Sequence, residues 1–173
     1  MVSYSNMSQN GTNKHTISMR VHNRPGVLSR VAQVFARRGF NIDSLVVSRG
    51  HRPEFSRMTI ACEGNPNDLG QIIKQLGKLV DTTHAAEHTQ EQAVERELAL
   101  FKVEVGPETR NEIFQIIDVF KGRPVDLSES AVTVEITGDS EKIDAFETMV
   151  TGYGLVEMVR SGKLVIARGP ERT

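Results

Sequence analysis

The stretch His15–Leu45 reads HTISMRVHNRPGVLSRVAQVFARRGFNIDSL, and the fold is decided here. Ile17, Met19 and Val21 alternate with Thr16, Ser18 and Arg20, the period-two pattern of a strand with one buried face. Asn23-Arg24-Pro25-Gly26 then supplies turn chemistry and a helix start. Val27, Leu28, Val31, Val34 and Phe35 follow at helical spacing, and Gly39 ends the helix as a left-handed cap. Asn41 to Ser48, rich in Ile, Leu and Val, predicts a second strand.

Outward from this unit, Gly50 to Pro53 break the chain, and Met58, Ile60 and Cys62 alternate along a third strand that forms a hairpin with the second. Asn65-Pro66 predicts an N-cap with proline at the first helical position. Leu69, Ile72, Ile73 and Leu76 then mark a second helix at i, i+3, i+4 and i+7. Leu79 to Glu87 is a weaker strand, which completes βαββαβ. The polar stretch HTQEQAVE from His88 to Glu95 places a linker at 89–95.

The pattern then repeats. Ala99, Phe101, Val103 and Val105 alternate; Ile113, Ile116, Ile117 and Phe120 are helical up to Gly122. Val125 to Leu127 is a short strand, followed by Val132, Val134 and Ile136 along a longer one. Asp139 caps a helix carrying Ile143, Phe146 and Val150, and Leu155 to Val159 with Leu164 to Ala167 close in β character. The expected fold class is α+β: two tandem ferredoxin-like βαββαβ domains at 15–88 and 96–169. Each is a four-stranded antiparallel sheet with two helices on one face. Residues 1–14, MVSYSNMSQNGTNK, read as a disordered extension and 170–173 as a tail. Units this small leave one sheet face uncovered, so cover from each other or from a second copy is expected.

Composition narrows the function. Lys and Arg number 21 against 22 Asp and Glu, a net charge of -1, so no global basic field draws nucleic acid or an anionic membrane. No apolar run approaches the length of a membrane span. The single cysteine, Cys62, forms no internal disulfide and reads as a buried, inert thiol. A reducing cytoplasm follows as the expected location. Five histidines, at 15, 22, 51, 84 and 88, include one i,i+4 pair, His84 and His88, which lies at a strand end without a shared helical face; no metal is expected. There is no Walker loop, and Gly152-Tyr153-Gly154 lacks the third glycine of a dinucleotide fingerprint. No catalytic residue is expected.

The distinctive connection is the one from the first strand to the first helix. A helix N-terminus offers unpaired N–H groups and a positive dipole end, and Gly26 lets a ligand approach the backbone. Asn23 and Asn41 add amides that both donate and accept, suited to the two ends of a zwitterion. The alternative is that Asn23 is a cap, Pro25 an early-helix residue and Asn41 a turn residue, and the residues alone leave both open.

The runs Asn23-Arg24-Pro25-Gly26-Val27-Leu28, Arg38-Gly39-Phe40-Asn41-Ile42 and Ser56-Arg57-Met58-Thr59-Ile60 resemble the amino-terminal ACT domain of acetolactate synthase (acetohydroxyacid synthase) small regulatory subunits. The resemblance to that family continues through Gln75 to Asp81, Arg96-Glu97-Leu98 and Phe120-Lys121-Gly122, the second half resembling its carboxy-terminal domain, and covers His15 to Gly169. It implies a non-catalytic cytoplasmic subunit that binds and activates a thiamine-diphosphate-dependent catalytic large subunit. It also implies feedback inhibition by valine or another branched-chain amino acid. Thiamine diphosphate, magnesium and FAD would belong to that partner, and none to this chain. The ACT domains would pair as a homodimer with the amino acid between them. Asn23, Pro25, Gly26, Val27, Leu28, Asn41 and Ile42 are the implied ligand-binding residues: amides near Asn23 to Leu28 for the carboxylate, Asn41 to orient the zwitterion, and Val27, Leu28 and Ile42 for an aliphatic side chain. Two other readings stand beside this one. One is a stand-alone ACT-type amino-acid sensor acting on another enzyme or on transcription. The other is an acylphosphatase-like hydrolase in which Arg24 and Asn41 surround a phosphate.

Overall fold

The computed structural model describes residues 13–89 and 91–170. Its elements in chain order are β1 (Asn13–His22), α1 (Val27–Arg37), β2 (Asn41–Arg49), β3 (Phe55–Gly64), α2 (Pro66–Gly77), β4 (Thr82–His88), β5 (Ala93–Glu104), α3 (Arg110–Val119), β6 (Arg123–Leu127), β7 (Ala131–Gly138), α4 (Ser140–Thr151), β8 (Leu155–Arg160) and β9 (Leu164–Ala167). The strands form two antiparallel sheets, ordered β2-β3-β1-β4 and β6-β7-β5-β8, with β9 paired to β5 off the second path. Two βαββαβ repeats are therefore present, and the second sheet carries a fifth strand that was expected only as closing β character. Two compact units divide the chain: one reaches Val94 and takes in the chain again from Lys163, the other is Glu95–Gly162.

In the first unit β1 pairs with β3 in the register Ile17↔Ile60 and Met19↔Met58. Those residues, with Val21 and Cys62, face α1 and α2, whose Val27, Val31, Val34, Phe35, Leu69, Ile72 and Leu76 complete the core. Burial raises the Cys62 thiol to about 12, with the nearby carboxylates of Asp43 and Glu87 adding to the effect. The opposite sheet face carries Thr16, Ser18 and Thr59, all nearly fully buried. The Arg57 guanidinium, on that same face, donates to the carbonyl of Val165 at 3.1 Å, and Arg168 N–H donates to Gln92 C=O at 2.9 Å. The returning β9 segment thus lies against a face that a four-stranded reading leaves open.

In the second unit Ala99, Phe101, Val103, Val132, Val134 and Ile136 meet Ile113, Ile117, Ile143, Phe146 and Val150. Phe146 takes Phe101 and Phe120 edge-on, with centroids 4.9 and 5.3 Å away. A buried polar network joins β5, β8 and α4. Glu97, 5% exposed, accepts from Ser140 Oγ at 2.5 Å and Arg160 Nε at 3.0 Å, and Arg160 also pairs with Asp144.

Three boundaries differ from the sequence expectation. Asn13 and Lys14, placed in a disordered extension, are the first residues of β1, held by pairing with Gly64 and Glu63; the rest of the expected extension, 1–12, lies outside the described residues. Ala93 to Glu95, placed in the linker, are strand: the inward positions there are Ala93 and the carboxylates of Glu95 and Glu97, which give no apolar alternation. Leu79 packs on the core but precedes β4, because Thr82 N–H closes a turn onto its carbonyl. Residues 171–173 of the expected tail lie outside the described residues.

Candidate functional site

Four hydrogen bonds fix the turn between β1 and α1. His22 N–H donates to Asp81 C=O and Asn23 N–H to Glu54 C=O, both at 2.8 Å. Arg24 N–H donates to His22 C=O at 3.0 Å, and Asn23 Nδ2 to Pro53 C=O at 3.3 Å. Asn23 is therefore not the helix cap. That position falls to Gly26, at φ 81 and ψ -6, a left-handed conformation that L side chains rarely adopt. Pro25 precedes the cap and lies outside the helix.

A glycine cap leaves the first-turn amides of α1 without a side-chain acceptor, and no acidic residue occupies that turn. The contrast with the neighbouring elements is direct: Asn65 caps α2 with Asp68 in its first turn, and Asp139 caps α4 beside Glu141. Val27 N–H donates to Arg24 C=O at 3.5 Å, and the N–H groups left without a side-chain cap, with the positive dipole end, make the α1 start the place in this unit where a small carboxylate is best received. Arg30 adds to the positive field. Its guanidinium folds back one turn, lying 3.2 Å from where a Cβ on Gly26 would sit, and pairs with Asp81 at 2.5 Å.

The seven residues implied by sequence separate into three groups. Asn23, Pro25, Gly26 and Leu28 line one exposed end of the unit, with Leu28 at 44% exposure. Val27 is 4% exposed and belongs to the core, so of the three apolar candidates only Leu28 and the half-buried Ile42 offer side-chain surface. Asn41 and Ile42 lie at the other end of the sheet. Asn41 pairs with Glu63, which pairs with Lys14 at the start of β1. Asn23 follows the last residue of β1, so the two asparagines are roughly 30 Å apart at about 3.3 Å per residue. Asn41 spends its amide on Asp43 Oδ1 at 2.9 Å.

Sequence reasoning missed Arg30 and Asp81. Asp81 was legible only as part of the Gln75–Asp81 run, with no function attached, and nothing in the spacing of two residues 51 apart joins them. Arg30 had one available signal: a long side chain four residues after a helix cap reaches back over the cap. Among the described residues no cluster of three metal-ligating side chains occurs, and no helix is long and apolar enough to cross a membrane.

A glycine-capped, acid-free first helix on a βαββαβ unit, followed by a second such unit, fits a regulatory protein of the ACT-domain class. Family comparison is specific: residues 17–84 match the AHAS small subunit-like ACT domain, and residues 96–169 match the small subunit of acetolactate synthase. The chain belongs to the acetolactate synthase small-subunit family, the regulatory, non-catalytic partners of a large catalytic subunit. It is 46% identical over 159 residues to the probable acetolactate synthase small subunit of Archaeoglobus fulgidus, covering 92% of this chain and 99% of that one. It is 42% identical over 161 residues to the acetolactate synthase small subunit of Mycolicibacterium smegmatis, covering 93% and 95%. The crystal structure of the acetolactate synthase small subunit from Thermotoga maritima superposes with a TM-score of 0.82 at 38% identity, covering 92% of this chain and 99% of that chain.

Proposed function

We propose that this chain activates the thiamine-diphosphate-dependent catalytic subunit of acetolactate synthase and confers feedback inhibition on it by valine or another branched-chain amino acid. It does so in the cytoplasm, as a homodimer through the first domain, with thiamine diphosphate, magnesium and FAD held by the catalytic partner. The observation that carries this reading is the separation of Asn23 from Asn41 together with the character of the β2 edge.

The β2 strand is nine residues long, lacks Lys and Pro, and centres on Leu45-Val46-Val47, with Val47 45% exposed. Such an edge is a template for another strand. An antiparallel two-fold pairing centred on Leu45 sets Asn41 of the second copy opposite Arg49. Arg49 pairs with Ser56 and Ser56 with Val21, so that Asn41 arrives at the end where Asn23 and Gly26 lie. Three strand spacings, roughly 14 Å, separate it from β1. The β1–α1–β2 connection crosses two of these spacings as the chain passes over β3 toward β2.

In this arrangement the free amides of the α1 start take the carboxylate, Asn41 of the second copy bonds the other end of the zwitterion, and Leu28 of the first copy with Ile42 of the second meets the aliphatic side chain. Inhibition then follows from any difference in effector affinity between the active and inactive forms of the holoenzyme. The test is reconstitution. The chain alone forms no acetolactate from pyruvate; added to its catalytic subunit it raises turnover, and valine lowers the raised rate. Synthesis by the chain alone, or failure to co-purify with the catalytic subunit, would refute the reading, and the latter would favour a stand-alone sensor.

A further inference from the structure

We propose that Arg30, anchored by Asp81, is the positioning residue that sets the effector affinity of the Asn23–Gly26 turn; this deepens the amino-acid-binding reading above and rests on it.

Arg30 holds the turn twice. Its main-chain N–H donates to Gly26 C=O at 3.2 Å, closing the first turn of α1. Its side chain folds back so that Nη1 covers Gly26 while Nη2 pairs with Asp81 Oδ2 at 2.5 Å. Asp81 is well placed as an anchor, since its side chain is only 10% exposed and its own carbonyl accepts the N–H of His22, the last residue of β1. The two residues therefore tie both ends of the turn to one point on the body of the unit. Gly26 fits this clamp in two ways: its positive φ makes the turn, and its missing Cβ leaves space for the guanidinium.

The pair has an electrostatic side as well. A cation in the first turn runs against the helix dipole, and the other helices of this chain place an acid there. Asp81 offsets that repulsion and holds the guanidinium beside amides that lack a cap. Arg30 is 47% exposed and Asp81 only 10%, so Arg30→Gln, which leaves a nearly buried carboxylate unpaired, should lower the melting temperature more than Asp81→Asn, which leaves an exposed cation. The positioning role is read from losses of effector affinity that do not follow that order.

The experiment is calorimetric titration of valine into the full-length chain and into Arg30→Gln, Asp81→Asn, the double variant and Arg30→Lys, each with its melting temperature. Each neutralised single variant should bind valine about tenfold more weakly, the loss of one charge-assisted contact. The double should be no weaker than the worse single, because both changes release the same clamp. Arg30→Lys, which keeps the charge without the fork, should recover part of the affinity. Unchanged affinity in the singles, losses that multiply in the double, or affinity losses that simply track melting temperature across all four variants would overturn the proposal. A wild-type chain that binds no amino acid would instead overturn the effector reading on which it rests.

Discussion

Replacing Gly26 by Asn and by Asp isolates one charge at the start of α1. Both side chains face the same backbone penalty, because Gly26 has φ 81, and Asn and Asp tolerate the left-handed region better than other residues. Both also meet Arg30, whose Nη1 would be 3.2 Å from the new Cβ. They differ in that Asp presents a carboxylate to the amides that would receive the effector's own. Two like charges about 4 Å apart repel by about 1 kcal/mol in bulk water and about 4 kcal/mol at an effective dielectric of 20. The turn is exposed and the Arg30 guanidinium partly neutralises the new charge, so the lower part of that range applies. Gly26→Asp should therefore bind valine about five- to thirtyfold more weakly than Gly26→Asn, the equivalent of about 1–2 kcal/mol. The assay is valine titration of both variants as isolated chains, followed by valine inhibition of the reconstituted holoenzymes. Equal affinities in Asn and Asp, with both chains folded, would refute carboxylate binding at this turn.

Further outcomes follow from other parts of the molecule. A Cβ on Gly64 would lie 2.1 Å from Phe40 Cε1, and the Phe40 side chain is 6% exposed, so Gly64→Ala should destabilise the first unit by about 1–3 kcal/mol in a denaturant titration. Glu97→Gln weakens the charge-assisted bonds to Arg160 and Ser140 and should cost about 2–3 kcal/mol, read as a lower unfolding midpoint. Cys62, raised to about 12, should resist alkylation at pH 8 until the chain is unfolded. Because the unfolded thiol ionises from its ordinary value of 9.0 while the folded one stays protonated, this group's contribution to stability should fall as pH rises above about 9. Val47→Lys, on the exposed β2 edge, should shift sedimentation from dimer toward monomer; an unchanged dimer would place the contact elsewhere.

What the sequence made legible is what local pattern encodes. The α2 helix was readable from Asn65-Pro66 and the Leu69, Ile72, Leu76 spacing because cap and apolar stripe agree, and the structure buries those same three side chains. The start of β5 was not readable, because Glu95 and Glu97 occupy inward positions, and Glu97 is satisfied by Ser140 and Arg160, partners that only the tertiary fold supplies. The return of β9 to the first unit brings together residues as far apart as Arg57 and Val165, separated by 108 positions. At the candidate site the turn itself was legible from Asn23 to Gly26, but its internal roles were not. The cap fell on Gly26, whose left-handed turn starts the helix at Val27, while the Asn23 side chain bonds Pro53 C=O, and Val27 turned inward with the core face of α1. The clamp of Arg30 and Asp81 left no trace in spacing, since it joins a helix start to the entry of a strand.

The distance between Asn23 and Asn41 within one chain has a genetic corollary. If each effector site draws its turn from one protomer and its asparagine from the other, a protomer damaged at Asn23 and a protomer damaged at Asn41 are each blind when paired with their own kind. Mixed together, half of the co-assembled pairs at random are hybrids, and each hybrid holds one site carrying both lesions and one site carrying neither. Valine response should then reappear on mixing two unresponsive preparations, at one site per hybrid. A site built within a single chain would never show such complementation.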